Sequence, residues 1–267
     1  AAETAMIAII VFFSLLALAI VRLPEAHRTL MVTFFEAVTG AMLTIIGWVL
    51  WIAPLGVFAL SLLVAGQSGA AALGALVHYI LSVASMGGVV LLLAYAVAVV
   101  LARQSLGKFA RAVLPVQAMA ISTQSSLASL PAMLAACRTL GLRDTTGEFV
   151  LPLAVALFRA TGPAMNLAVA IYVAKLAGME LTPLMLATGV VVALATTIGS
   201  VSLPGAISFV TAIGPIAIAM GVPVGPLALL VAVEVLPDIM RTVGNVTMDV
   251  AAAATVDRRA ERDGTAS

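Results

Sequence analysis

Long apolar runs, separated by too few charges to cover a water-facing surface, constrain this chain more than any other feature. A helix needs about 20 apolar residues to cross the hydrocarbon of a bilayer. Residues 4–21, 30–65, 71–102 and 224–256 provide such runs, and 148–176 does so while carrying Pro152, Arg159 and Pro163. Only 9% of the 267 residues are charged, against about 25% in an ordinary soluble domain. Hydrocarbon must therefore surround most of the protein. The run 30–65 is longer than one crossing requires, so Pro54-Leu55-Gly56 is expected to kink it, or the helix to tilt. A net charge of +1 leaves no basic face for nucleic acid, and the lone Cys137 excludes an internal disulfide framework. The opening Ala1-Ala2-Glu3-Thr4 lacks the basic region of a signal peptide and reads as the interior of a longer protein.

Two further regions have a different pattern. Residues 109–138 are interrupted by Ser122-Thr123-Gln124-Ser125-Ser126 and then Ser129-Leu130-Pro131. Residues 183–220 are interrupted between Thr196 and Gly205, a tract containing Ser202-Leu203-Pro204. Each leaves two apolar arms of roughly 10–15 residues, too short to span singly. Such arms around a Ser/Pro/Gly tip are expected to form re-entrant hairpins, whose irregular backbone is tolerated only inside protein or a wet cavity. The repeated Ser-Leu-Pro is followed each time by a spanning segment with an arginine and then an asparagine: Arg159 with Asn166, and Arg241 with Asn245. With the hairpins opening to opposite sides, this is an inverted repeat, an architecture that places a binding site between its halves. The predicted fold class is an all-α integral membrane protein with two re-entrant helical hairpins.

The basic residues set an orientation. With the tail Arg258-Arg259-Ala260-Glu261-Arg262 in the cytoplasm and both hairpins returning to their own side, Arg22, Arg28, Arg103, Lys108, Arg111, Arg138 and Arg143 fall on that side too. That is ten of the thirteen Lys and Arg residues, as the positive-inside rule requires. Lys175 lies near the outer side, and Arg159 and Arg241 lie within spans.

The last span carries the chemistry. Glu234, Asp238, Arg241, Asn245 and Asp249 are separated by 4, 3, 4 and 4 residues, which puts them on one face of a helix. Each central charge costs roughly 2.5–3.5 kcal/mol in lipid, so the stripe must face protein or water. Either it binds a solute and an ion, or Asp238 and Arg241 form an ion pair that only glues helices together. The Arg241 fork suits a carboxylate, Asp238 an ammonium group, and Asn245 a second carboxylate. That set fits an acidic amino acid. Asp249, an oxygen ligand toward the cytoplasm, suits a hard cation or a proton. Helix N-termini after Ser125-Ser126 and after Gly205 offer N–H groups to an anion, or the serines merely cap the tips. Arg159 either contacts substrate, stands in for a bound cation, or bridges to Glu234 or Asp249. Asp238 and Asp249 are eleven residues, about 16 Å, apart along one helix, too far to share a proton as a protease dyad would. No enzyme motif or cofactor site is expected.

Pro54-Leu55-Gly56-Val57-Phe58, the serine-rich tip ending Ser129-Leu130-Pro131, the second tip Leu203-Pro204-Gly205-Ala206 and, above all, Asp238-Ile239-Met240-Arg241-Thr242-Val243-Gly244-Asn245-Val246-Thr247-Met248-Asp249 resemble the dicarboxylate/amino acid:cation symporter family, the glutamate transporters. The resemblance implies eight spanning helices and two hairpins, a homotrimer, and elevator-type alternating access with the second hairpin as outer gate. It implies that the first three helices and part of the fourth are absent here. Residues 1–66 would be scaffold, with helix five at about 28–66. Residues 67–257 would be the transport domain and 258–267 a cytoplasmic tail. It assigns substrate binding to Ser125, Ser126, Leu203, Gly205, Asp238, Arg241, Thr242 and Asn245, and cation coupling, with a sodium ion, to Asn245 and Asp249. In helix seven the family has Asn-Met-Asp-Gly-Thr where this chain has Phe158-Arg159-Ala160-Thr161-Gly162. The loss of those ligands points to proton coupling or fewer sodium ions, with Arg159 as a surrogate cation; pairing Asn166 with the motif requires an insertion. The expected function is cation-coupled symport of an acidic amino acid or dicarboxylate across a bacterial inner membrane. The alternatives are a passive anion channel, or a fragment inactive without its N-terminal helices.

Overall fold

The computed structural model describes residues 12–13, 15–199 and 206–263, and all regular secondary structure among them is helical. Residues 15–21 are helical, followed by α1 (Glu25–Val100), α2 (Leu106–Thr123), α3 (Leu130–Leu140), α4 (Asp144–Leu157), α5 (Thr161–Leu176), α6 (Pro183–Gly199), α7 (Ala206–Ala219), α8 (Leu227–Leu230), a 3-10 turn (Val231–Val233) and α9 (Val235–Arg262). The chain divides into two compact units, Ala1–Ser61 and Leu62–Ser267. In the first, Phe13, Leu16, Ala17, Ile20 and Val21 line an apolar cavity with Val32, Phe35, Glu36 and Gly40.

α1 runs through both Pro54 and residues 66–71, where the apolar pattern suggested a kink and two separate spans. The Gly66-Gln67-Ser68-Gly69 stretch has no proline, and a glycine costs a helix only about 1 kcal/mol, so nothing there forces a break. Residues 74–100 are long and apolar enough to cross a membrane. The side chains left outside the protein interior match a hydrocarbon solvent: Leu92, Phe149 and Leu184 are 71%, 72% and 77% exposed.

The second long apolar segment, Asp144–Leu176, meets the same criterion but is not one helix. It breaks at Phe158-Arg159-Ala160, between α4 and α5. The expectation of a continuous span is corrected by Pro163. A proline ring clashes with the carbonyl four residues back, here that of Arg159, and fits without that clash in the first turn of a helix. α5 therefore restarts at Thr161, two residues before Pro163. Pro237 acts the same way against Val233: α9 begins at Val235, after the 3-10 turn, so the run 224–256 is also interrupted.

Two apolar cores form in the second unit. One joins Ala98 of α1 and Ala102 just beyond it to Phe109, Val116, Met133, Leu151 and Val155 of α2–α4 and to Val243, Val246 and Val250 of α9. The other joins Tyr79 and Val83 of α1 to Met165 and Val169 of α5, Ala193 of α6, Phe209 and Ile213 of α7, and Leu230. α2 and α3 form a helical pair around Gln124–Ser129, and Lys108 Nζ at the start of α2 donates to the Leu140 carbonyl at the end of α3 (2.7 Å). Both arms thus return to one end, although α2, at 18 residues, is longer than expected. At that end Arg143 Nε meets Asp257 Oδ1 (2.8 Å) and Arg258 reaches the Ala102 carbonyl (3.3 Å), so basic residues spread over the sequence gather around α9. Along α1, α4–α5 and the final segment, the chain passes from one core to the other.

Gly244 permits the closest contact at this crossing. A Cβ there would stand 2.6 Å from Thr161 Cγ2. Gly244→Ala is expected to lose about 1–3 kcal/mol, the usual cost of overpacking. A melting temperature in detergent equal to wild type would show that the α5 start is not clamped.

Candidate functional site

The break between α4 and α5 leaves backbone N–H groups at the start of α5 without helical partners. Asn245 meets this need from α9. Its Oδ1 accepts from the Thr161 N–H (2.9 Å) and lies 2.9 Å from the Thr161 hydroxyl, which also lies 3.0 Å from the Arg241 carbonyl. Thr161 is fully buried and Asn245 is 3% exposed. Asn245 is therefore a helix cap reached across the fold, a role its sequence position did not reveal.

One turn away, Arg241 holds three partners. Its Nη2 lies 2.6 Å from Glu234 Oε1, its Nε 3.2 Å from Asp238 Oδ1, and its Nη1 donates to Asn166 Oδ1 at 2.5 Å. Glu234 Oε2 accepts from the Tyr79 hydroxyl at 2.9 Å. Residues from α1, α5 and α9 thus converge on one guanidinium. The predicted pairing of Asp238 with Arg241 forms, and Glu234 joins it. Glu234 partners Arg241, while Arg159 lies within electrostatic reach of Asp238, Asp249 and Arg241.

Asp249 is 1% exposed, and its Oδ1 has no hydrogen-bond partner among the described residues. No three His, Cys, Asp or Glu side chains converge to hold a metal among those residues. The Thr242 hydroxyl bonds to the Asp238 carbonyl of its own helix (3.0 Å). Ser125 Oγ accepts from Ala128 N–H (3.2 Å), and Ser129 Oγ donates to the Ser125 carbonyl (2.9 Å), so these hydroxyls organise the first hairpin tip. Among the described residues, neither Ser125 nor Ser126 bonds to the α9 seam. Leu203 and Gly205 lie outside the described residues.

Sequence reasoning missed Tyr79 and Thr161 and left Asn166 in the background. Tyr79 is a single hydroxyl in an apolar run, and only packing reveals its partner. Asn166 carried a signal, since it follows Arg159 as Asn245 follows Arg241.

With this geometry in place, comparison with known proteins decides the lineage. The sequence pattern of the sodium:dicarboxylate symporter family matches residues 1–259. The chain belongs to that family. Its members are transporters of the membrane, not enzymes, and the all-α architecture agrees. Among relatives, the proton/sodium-glutamate symport protein of Bacillus subtilis (strain 168) is 29% identical over 264 residues, covering 96% of this chain and 59% of that protein. The putative sodium-dependent excitatory amino acid transporter glt-4 of Caenorhabditis elegans is 30% identical over 241 residues, 86% of this chain and 47% of that protein. The proton/glutamate-aspartate symporter of Escherichia coli (strain K12) is 28% identical over 252 residues, 92% and 56% respectively. This member of the symporter family thus spans about half the length of the curated relatives it matches.

The cap makes its own prediction. Asn245→Ala leaves the Thr161 N–H buried without an acceptor, a loss of about 1–3 kcal/mol. Faster hydrogen exchange at the Thr161 amide is the direct check, and unchanged protection there would reject the cap.

Proposed function

We propose that the chain forms the substrate-binding part of a secondary active transporter that couples uptake of an acidic amino acid, or a dicarboxylate, to a cation. The observation that carries this reading is the buried Arg241 guanidinium at the junction of two cores, held by carboxylates that a ligand carboxylate can replace one for one. A planar fork recognises a carboxylate through two parallel bonds. Asp238 beside it provides the acceptor for an ammonium group, which favours an amino acid over a plain dicarboxylate. The relatives' names, glutamate and glutamate-aspartate symporters, support the same substrate class.

Residues 1–66 serve as scaffold, residues 67–257 as the moving transport domain and residues 258–267 as a cytoplasmic tail, in a homotrimer of the bacterial inner membrane. The α2–α3 and α6–α7 pairs dip into the bilayer and return, and the tips at Ser125-Ser126 and Leu203–Gly205 close over the ligand. Transport proceeds by elevator-type movement. Asp249 provides a seat for a proton or a sodium ion. A sodium ion there would have the unpartnered Asp249 Oδ1 as an oxygen ligand, the ligand type a hard cation takes. Arg159 supplies a permanent positive charge near the same carboxylate.

Reconstituted protein is expected to show saturable aspartate counterflow, inhibited by glutamate more strongly than by succinate. A carrier gives counterflow, whereas flux linear in concentration would establish a passive pore and overturn the reading. Arg159→Ala is expected to change the sodium or pH dependence of uptake more than the order of substrates. Unchanged ion dependence would remove Arg159 from the coupling site.

A further inference from the structure

Every nitrogen of the Arg241 guanidinium has a partner, which takes three of its five N–H groups. Its Nε and both terminal nitrogens are engaged, by Asp238, Asn166 and Glu234. A substrate carboxylate that takes two parallel bonds from the fork competes with these partners for its nitrogens. Asn166 is neutral and comes from α5. Asp238 lies at the longer distance, 3.2 Å, and is 21% exposed at its side chain. Glu234 has the shortest ion pair with Arg241, 2.6 Å, and a side chain only 8% exposed. It presents to Arg241 the same group that a substrate presents.

Charge strengthens the competition. The cluster at Glu234 is two carboxylates, Glu234 and Asp238, around one guanidinium, Arg241, while Asp249 lies further along α9 within reach of Arg159. With every group ionised the cluster is negative by one, and an incoming acidic amino acid is also an anion. A site buried from water screens such repulsion poorly. One proton on Glu234 makes the cluster neutral and removes the carboxylate that occupies Arg241.

We propose that Glu234 is the proton-binding residue of the transport cycle: ionised, it holds Arg241 closed, and protonated, it gives Arg241 up to the substrate carboxylate. This rests on the reading of the protein as an acidic amino acid carrier, and adds a proton seat at Glu234 to the cation seat at Asp249. The proton adds to Oε1 or Oε2 of Glu234, the Glu234–Arg241 ion pair breaks, and the substrate carboxylate takes its place. Release of the substrate on the other side lets Glu234 lose the proton and close on Arg241 again.

The groups that face Glu234 suit this exchange. Tyr79 of α1 donates to Oε2, while Arg241 and Asp238 lie on α9 itself. From α5 the nearby titratable group is Tyr172, whose ring lies 5.2 Å from that of Tyr79 and whose hydroxyl donates to the Ala75 carbonyl. α6 and α7 carry no titratable side chain. Tyr79 can donate to the carboxylate, or accept from the protonated acid by rotating its hydroxyl, so Glu234 keeps a partner in both states.

The test measures binding of labelled aspartate to the full-length protein in liposomes, from mildly acidic to mildly alkaline pH. Wild type is expected to lose affinity at least tenfold as the medium becomes alkaline. Glu234→Gln, with neither charge nor titration, is expected to bind independently of pH and to lose accumulation driven by an acid-outside gradient. Tyr79→Phe removes the donor that favours ionised Glu234, so binding is expected to persist to higher pH than in wild type. Aspartate binding by wild type whose pH dependence survives unchanged in both variants would overturn the role of Glu234 while leaving the carrier intact. No aspartate or glutamate binding by folded wild type at any pH would instead reject the carrier reading on which it stands.

Discussion

A buried guanidinium in a lipid-surrounded protein is stable only if other groups of the same chain surround it, and the arrangement around Arg241 follows from that need. Asp238 is on its own helix and one turn away, but the remaining partners are distant in sequence or beyond the helix start. Asn166 comes from α5, Glu234 from the turn before α9, and Tyr79, through Glu234, from α1. Removing water makes each contact stronger and each missing contact more costly. The polar cluster therefore acts as a clasp on three elements that apolar packing alone would hold without a fixed register.

The clasp sits where the chain passes between two cores. Prolines prepare this junction. Pro163 and Pro237 each occupy the third position of a helix, so each forces the preceding segment out of helical geometry. The freed backbone at Thr161 is taken by Asn245, and Gly244 gives Thr161 the room to approach. A broken helix, a cap from a facing helix and a missing side chain are three parts of one solution. Its outcome is an irregular stretch of backbone, tolerated because protein surrounds it, beside the residues that bear charge.

The same economy of polar groups operates at the basic end. Lys108 closes the first hairpin by capping α3, Arg258 holds the Ala102 carbonyl just past α1, and Asp257 accepts from both Arg143 and Thr146. Charges that the positive-inside rule reads only as a topological bias thus also stitch five helix ends together. Family membership and architecture agree with this picture, while the identities of substrate and coupled ion rest on the chemistry of the junction.

Much of the class was legible in the residues alone. Apolar run lengths and scarce charges point to a membrane helical protein, because a run of about 20 apolar residues matches one helical crossing of the hydrocarbon. The spacing of Glu234, Asp238, Arg241, Asn245 and Asp249 puts them on one face by helical geometry, and the motif around them resembles one family. What lay beyond the sequence was partnership. An oxygen of Asn245 looks equally fit for a substrate or for a backbone N–H, and only the position of the broken helix assigns it to Thr161. Tyr79 has no local pattern at all. Arg241 in sequence is an open fork, whereas in the fold Glu234, Asp238 and Asn166 each hold one of its nitrogens. Local periodicity is written in covalent order, but which buried donor meets which acceptor depends on how distant helices pack, and that is decided only when the two cores close around the junction.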